Sequence, residues 1–157
     1  KIKNEVSVNI IIVGTGEEEG RLKKIVKEKK YSHVYMTGFK SQRELPRYYT
    51  IADIFVLPSD HDPSPKVVNE AMNFELPIIT TERVGTAEDL IEQSESGLFY
   101  EAGDVDGLAT CLKKLIKNKD LRQKLGRNAG KIVKEWSVEK DVEGVKKALY
   151  FISKEKK

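Results

Sequence analysis

The chain has 157 residues and a mass of 17.8 kDa, the size of one ordinary domain. Hydrophobic residues form 39% and charged residues 34%, with 11 Gly and 5 Pro, which excludes a disordered tail, a collagen-like repeat and a low-complexity linker. A single cysteine, Cys111, rules out an internal disulfide and a Cys-rich zinc site, and a net charge of +3 is too small to mark a nucleic-acid binder.

In chain order, Asn9-Ile10-Ile11-Ile12-Val13 is a continuous apolar run, as expected of a strand buried on both faces of a parallel sheet. It ends in Gly14-Thr15-Gly16, and a helix should follow with Leu22, Ile25 and Val26 inward and Lys23, Lys24 and Lys27 outward. His33-Val34-Tyr35-Met36-Thr37 reads as a second strand closed by Gly38. Ser41 and Glu44 have the spacing of a capping box opening a short helix through Tyr48, Tyr49 and Ile51. Asp53–Pro58 reads as a third buried strand. Ser64-Pro65 offers a cap followed by proline at the first helical position of a helix that ends near Phe74. Leu76–Thr81 is a fourth strand and Gly97-Leu98-Phe99-Tyr100 a fifth. From Asp104 the pattern is helical. Leu108, Leu112, Leu115 and Ile116 share one face, and Leu121, Leu125, Ala129, Ile132, Val133 and Trp136 another. A last helix carries Val142, Val145, Leu149 and Ile152, then a Lys-rich tail expected to fray.

Strands alternating with helices predict an α/β, Rossmann-like open parallel sheet with helices on both faces, one domain over residues 1–157. Ligands then sit beyond the carboxyl ends of the strands. The segments to inspect are Gly14–Gly16, Gly38–Lys40, Ser59–Lys66 and Glu82–Thr86.

Charge is spread unevenly: residues 1–112 hold 13 basic and 19 acidic side chains, residues 113–157 hold 15 and 6, a local charge of +9. Two readings stand open, a set of solvated helix faces or a surface resting on anionic headgroups or an acidic partner. Apolar runs fall far short of the ~20 residues a membrane span needs. No signal peptide is read ahead of Asn9, and the start at Lys1, without Met, leads us to expect a piece of a longer chain.

Gly14-Thr15-Gly16 is either a tight strand-to-helix turn or a loop lining a ligand. It is not a dinucleotide fingerprint, since Glu19 stands where a third glycine would, and Glu17-Glu18-Glu19 would repel a diphosphate while suiting the helix dipole. Ser59–Val67 is the main candidate. With Pro65 at the helix start, the backbone N–H groups of Lys66 and Val67 point outward as an anion receptor, and Lys66 adds a full charge. Asp62 and Glu70, eight residues apart, could reach one elongated ligand at different points, and carboxylates suit vicinal diols. Equally, Asp62 is a helix-start acid and Glu70 a surface charge. His61 has no partner at ligand spacing, so a polar loop residue rather than a metal ligand is expected. Cys111 reads as a packed small side chain, and Trp136, Tyr48 and Tyr49 as core and shoulder residues.

Asp62-Pro63-Ser64-Pro65-Lys66-Val67-Val68-Asn69-Glu70-Ala71-Met72, between the strand Ile54–Leu57 and Pro77-Ile78-Ile79-Thr80-Thr81, closely resembles the E-x7-E region of family 4 glycosyltransferases. Further marks fall in the same order as in that family. Ile11-Ile12-Val13-Gly14-Thr15-Gly16 and Tyr35-Met36-Thr37-Gly38-Phe39 resemble its two glycine turns, Tyr49-Thr50-Ile51-Ala52-Asp53 the segment before its central strand, and Ser96-Gly97-Leu98-Phe99 its later turn. The resemblance runs from about Asn9 to Trp136.

It implies the donor-binding C-terminal half of a retaining GT-B enzyme that uses a nucleotide-diphosphate sugar, with no metal or other cofactor. Carried over by position, Glu70 holds the ribose hydroxyls, and Asp62, where the family has Glu, lies near the transferred sugar. Ser64, Lys66 and Val67 line the diphosphate and sugar, Gly38, Phe39 and Lys40 cradle the nucleobase, and Gly14 and Gly16 join the donor loops. Gly85-Thr86 faces the donor, with Thr86 where relatives have a second glycine. The family's first strand and a loop with an Arg and a Lys are missing ahead of Asn9, so this piece alone is expected to have negligible activity. The acceptor, a glycan or a lipid-linked acceptor, would bind an absent N-terminal domain toward which the helix of residues 137–157 packs. The expected setting is the cytoplasm, at the inner face of the membrane, with no nucleic-acid partner. The rival readings are a non-catalytic Rossmann-like binding module and a nucleotide-sugar epimerase of the same fold.

Overall fold

The computed structural model describes residues 8–85 and 95–155. Strands and helices alternate as β1 (Ile10–Val13), α1 (Glu19–Glu28), β2 (Val34–Gly38), α2 (Leu45–Ile51), β3 (Phe55–Leu57), α3 (Lys66–Asn73), β4 (Ile78–Thr81) and β5 (Gly97–Tyr100). Three helices close the chain: α4 (Val105–Lys117), α5 (Lys119–Glu135) and α6 (Val138–Glu155). All strand pairings within the sheets are parallel, the α/β, Rossmann-like class expected from the alternation. The strands fall into a two-stranded sheet, β1-β2, and a three-stranded sheet, β3-β4-β5, rather than one continuous sheet among the described residues. Side-chain patterns favour strands but leave open which backbones hydrogen-bond to each other. The chain divides accordingly into two compact units, Lys1–Ile51 and Ala52–Lys157.

The first unit is a βαβ element. Ile10 lies opposite Val34 and Val13 opposite Gly38, with a register slip between Ile12 and Val13. α1 supplies the crossover that a parallel pair needs. Its Leu22, Ile25 and Val26 are half-buried while Lys23, Lys24 and Lys27 face solvent, as the spacing predicts. Glu19 and Lys23 pair at 2.6 Å across one turn, and Glu18 pairs with Arg21. β1 departs from expectation: Ile10, Ile11 and Val13 are 44%, 38% and 37% exposed. Among the described residues β2 is its sole neighbour, so nothing there covers both faces. The Ser41–Glu44 box forms a turn rather than the helix start. The Glu44 carboxylate accepts from the Ser41 N–H (3.0 Å) and hydroxyl (2.8 Å), and α2 begins only at Leu45.

In the second unit β4 is buried at every residue. Val56, Ile79 and Leu98 lie in register across the three strands and pack with Tyr100, Leu108, Leu112, Leu115, Leu121 and Leu125 from β5, α4 and α5. Asp104 caps α4 by accepting the Asp106 N–H (2.9 Å), and Asn118 caps α5 through the Leu121 N–H (2.9 Å). The Arg122 guanidinium donates to the carbonyls of Leu115 (2.7 Å) and Ile116 (2.9 Å), two last-turn acceptors of α4 that the helix itself leaves unsatisfied. α5 lies tight against the link between α3 and β4, where a Cβ on Gly126 would stand 2.0 Å from the Glu75 carbonyl oxygen. Cys111 packs against this core as expected, and burial pushes its thiol pKa up. Trp136 does not: it follows α5 as its C-terminal cap and is 56% exposed. α6 is a helix as the periodicity predicts, yet Val142, Val145, Leu149 and Ile152 are all exposed. No described helix is long and apolar enough to cross a membrane.

Candidate functional site

The second unit carries the main candidate, built where β3 and β4 end. A threonine matches valine in shape but adds a donor, and both threonines of β4 are buried and use it. Thr80 Oγ1 donates to the Leu57 carbonyl (2.9 Å) and Thr81 Oγ1 to the Ser59 carbonyl (2.6 Å). The segment after β3 is thus tied down at its start. Further on, Asp62 and Val84 form an isolated parallel bridge, and the Gly85 N–H donates to the Asp62 carbonyl (2.9 Å). Asp62 Oδ1 accepts the Ser64 N–H (3.1 Å), the local turn that aspartate favours.

Pro65 then differs from its expected place. It is the N-cap, with φ −73° and ψ 108°, and Lys66 is the first helical residue. The extended ψ keeps Pro65 outside the helix, and as N-cap it brings no side-chain acceptor, so no side chain caps α3. The Val68 N–H returns to the Pro65 carbonyl (3.1 Å), whereas the N–H groups of Lys66 and Val67 donate to no partner among the described residues. Two helix-start donors are therefore left open among the described residues, with the exposed Lys66 next in the chain to the cap. Glu70, half-buried, follows Lys66 by four residues and so lies on the same face of α3. His61 is exposed. Among the described residues no three His, Cys, Asp or Glu gather to hold a metal ion.

Asn69 was not singled out by the sequence. Its Oδ1 is buried and lacks a hydrogen-bond partner among the described residues. A helical asparagine beside Glu70 carries no pattern that would mark it. Tyr100, at the end of β5, has its phenol pKa raised by burial, then by the negative charges of Cys111, Asp60 and Glu82.

The first unit carries the other candidate glycines, Gly14, Gly16 and Gly38. Gly14 (φ 125°) and Gly38 (φ 69°) hold backbones that L side chains rarely adopt, and the Gly14 N–H donates to the Gly38 carbonyl (2.9 Å). The two turns are joined where β1 and β2 end. Gly16 precedes α1, its carbonyl accepting the Glu19 N–H (3.0 Å). Phe39 stands 74% exposed, and Lys40 Nζ lies 3.9 Å from Glu44 Oε1. So Gly14, Gly16, Gly38, Phe39 and Lys40 meet at one end of the first unit's sheet. Asp62, Ser64, Lys66, Val67, Glu70 and Gly85 belong to the second unit, and Thr86 lies outside the described residues.

Parallel strands are followed by glycine turns in the first unit and by an open helix start in the second, and both units are of α/β type. The family described as "Glycosyl transferases group 1" matches residues 1–132, and the chain belongs to that family. It is 29% identical over 149 residues to an uncharacterized glycosyltransferase of Methanocaldococcus jannaschii, covering 95% of this chain and 42% of that protein. It is 38% identical over 111 residues to the amylovoran biosynthesis glycosyltransferase AmsK of Erwinia amylovora, covering 66% of this chain and 27% of that one. The chain therefore spans less than half the length of these relatives. Among solved structures, the Anabaena protein Alr3699/HepE in complex with UDP superposes with a TM-score of 0.77 at 21% identity, over 91% of this chain and 41% of that one. The C-terminal domain of the group 1 glycosyl transferase LpcC of Francisella tularensis gives 0.76 at 23%, over 87% and 74%. These likenesses show the fold, that of the C-terminal domain of a GT-B glycosyltransferase.

Proposed function

We propose that this chain binds the donor of a retaining glycosyltransferase, which moves a hexosyl group from a nucleotide-diphosphate sugar to a glycan or a lipid-linked acceptor. The observation that carries the reading is the α3 start, where two N–H groups without a partner among the described residues, and Lys66, stand one turn before Glu70. Donors fixed in this way stabilise charge developing on a departing diphosphate without having to reorganise. Lys66, Val67 and Ser64 take the diphosphate and sugar, Glu70 accepts from the ribose hydroxyls, and Asp62 offers its remaining oxygen to the sugar. By the family resemblance Gly38, Phe39 and Lys40 take the nucleobase, Gly14 and Gly16 join the donor loops, and Gly85 and Thr86 face the donor. Binding of UDP by the Anabaena neighbour supports the choice of ligand class. No metal or other cofactor enters this scheme, since positioned charge does the work.

Residues 1–157 act as one donor-binding domain. The exposed apolar side of α6 packs on the polypeptide that the longer relatives possess, where the acceptor binds, and the piece alone has negligible activity. The basic C-terminal third suits the anionic inner face of the cytoplasmic membrane. Titration with UDP, GDP and ADP followed by amide NMR tests the reading. Shifts at Gly14, Gly38, Lys66 and Glu70 are expected, and silence at millimolar nucleotide overturns it. Glu70→Gln should weaken binding by about 1.5–3 kcal/mol through loss of charge-assisted hydrogen bonds.

A further inference from the structure

The segment carrying Asp62 is held from the side by the turn after β4, and the fit leaves no room for a side chain. A Cβ built on Gly85 would stand 2.2 Å from the Pro63 carbonyl oxygen, 2.9 Å from its carbon and 3.1 Å from its Cα. All three are backbone atoms, so no rotamer change relieves the contact. Gly85 does not have a positive φ, and the demand for glycine is therefore steric rather than conformational. Neither side can retreat easily: Val84 is 1% exposed in front of Gly85, and Pro65 is buried beyond Ser64. The Gly85 N–H is already committed to the Asp62 carbonyl at 2.9 Å. Asp62 Oδ1 in turn follows the path of the loop through the Ser64 N–H.

We infer that Gly85 is a positioning residue: its bare α-carbon lets the turn after β4 close on the Asp62–Pro63 peptide and so aims the Asp62 carboxylate and the start of α3. It acts through the loop rather than by donating to a ligand. The consequence for transfer rests on the donor reading above, but the clamp itself does not. A methyl group at position 85 forces the two segments apart by roughly an ångström before ordinary contact distance is restored. Misplacement of that size costs on the order of a hundredfold in rate where groups must be held in register.

The test compares Gly85→Ala with Gly20→Ala, whose added methyl meets nothing within 4 Å. In nucleotide-free amide spectra, Gly85→Ala should move Asp62, Ser64, Lys66 and Val67 and leave α4 and α5 in place, while Gly20→Ala moves none of them. UDP affinity should fall about tenfold in Gly85→Ala, and the thermal midpoint should fall as well, since two backbone segments must part to admit the methyl group. The double variant Gly85→Ala/Pro63→Gly, whose freed peptide can swing its carbonyl aside, should regain most of that affinity. Unmoved Asp62 and Ser64 amides in Gly85→Ala overturn the proposal. If that variant fails to fold, hydrogen exchange in the unsubstituted chain decides: a Gly85 amide protected like that of Ser64 upholds the clamp, and a freely exchanging one refutes it. Because the amide spectra and hydrogen exchange need no nucleotide, a chain that shows the clamp but ignores UDP would refute the donor reading alone.

Discussion

β1 and β4 reverse what their sequences suggest. Ile10-Ile11-Ile12-Val13 is the more apolar run and is largely exposed, whereas Ile78-Ile79-Thr80-Thr81, half of it hydroxylated, is buried throughout. The difference lies in neighbours. β4 has a strand on each side and helices packed near it, while β1 pairs with β2 alone among the described residues. Apolarity makes a strand, but company buries it. The buried threonines show the corollary: a polar atom can be fully enclosed when a strand end supplies an orphan carbonyl for it.

The sharpest way to break the contrast is to cut the same side chain in both strands. Ile79→Ala removes a fully buried side chain and should cost about 2–5 kcal/mol, and Ile11→Ala, already 38% exposed, no more than about 1 kcal/mol. Urea unfolding of the two variants decides, and equal losses would mean that β1 is covered as fully as β4. A smaller effect is expected at Arg122. Arg122→Ala leaves the Leu115 and Ile116 carbonyls without their charged donor and should cost about 1.5–3 kcal/mol, whereas Arg21→Ala, at an exposed ion pair of the first unit, should cost well under 1 kcal/mol.

Local chemistry was readable from the sequence, and long-range contact was not. β5 runs from Gly97 to Tyr100 as the residues suggest, and the Asp104 cap sits where the helical pattern begins. The open amides of Lys66 and Val67 followed from proline beside a helix start, although Pro65 proved to be the cap rather than the first turn. Trp136 shares the spacing of the α5 apolar face yet falls at its C-terminal cap, where the chain leaves that face. Nothing local distinguishes Gly126 or Gly85 from a loosely placed glycine. Their meaning comes from Glu75 and Pro63, tens of residues away in the chain. The donation of Arg122 to α4 is likewise invisible until two helices meet. In the candidate site, residue types were legible, while the engagement of Asp62 by Ser64 and Gly85 required the fold.

Acid provides the finest comparison between the units. Hydrogen bonds from the Ser41 backbone and then its hydroxyl, aided by Lys40 and Arg47, lower the Glu44 pKa from its ordinary 4.5. In the second unit Lys124 lowers Glu95 through a hydrogen bond and its charge. A carboxylate with a lowered folded pKa gives its stabilisation in full above the unfolded value and loses it as pH falls through the folded one. Both contributions should therefore be present at neutral pH and fade below about 4.5. They should respond differently to salt. The Glu95–Lys124 pair is an exposed ion pair that screening weakens, while Glu44 relies first on uncharged donors of its own turn. Acid titrations of Glu44→Gln and Glu95→Gln at low and high ionic strength should show a salt-sensitive difference from the unsubstituted chain only for Glu95. A salt-sensitive Glu44 would assign its shift to Lys40 and Arg47 instead of Ser41.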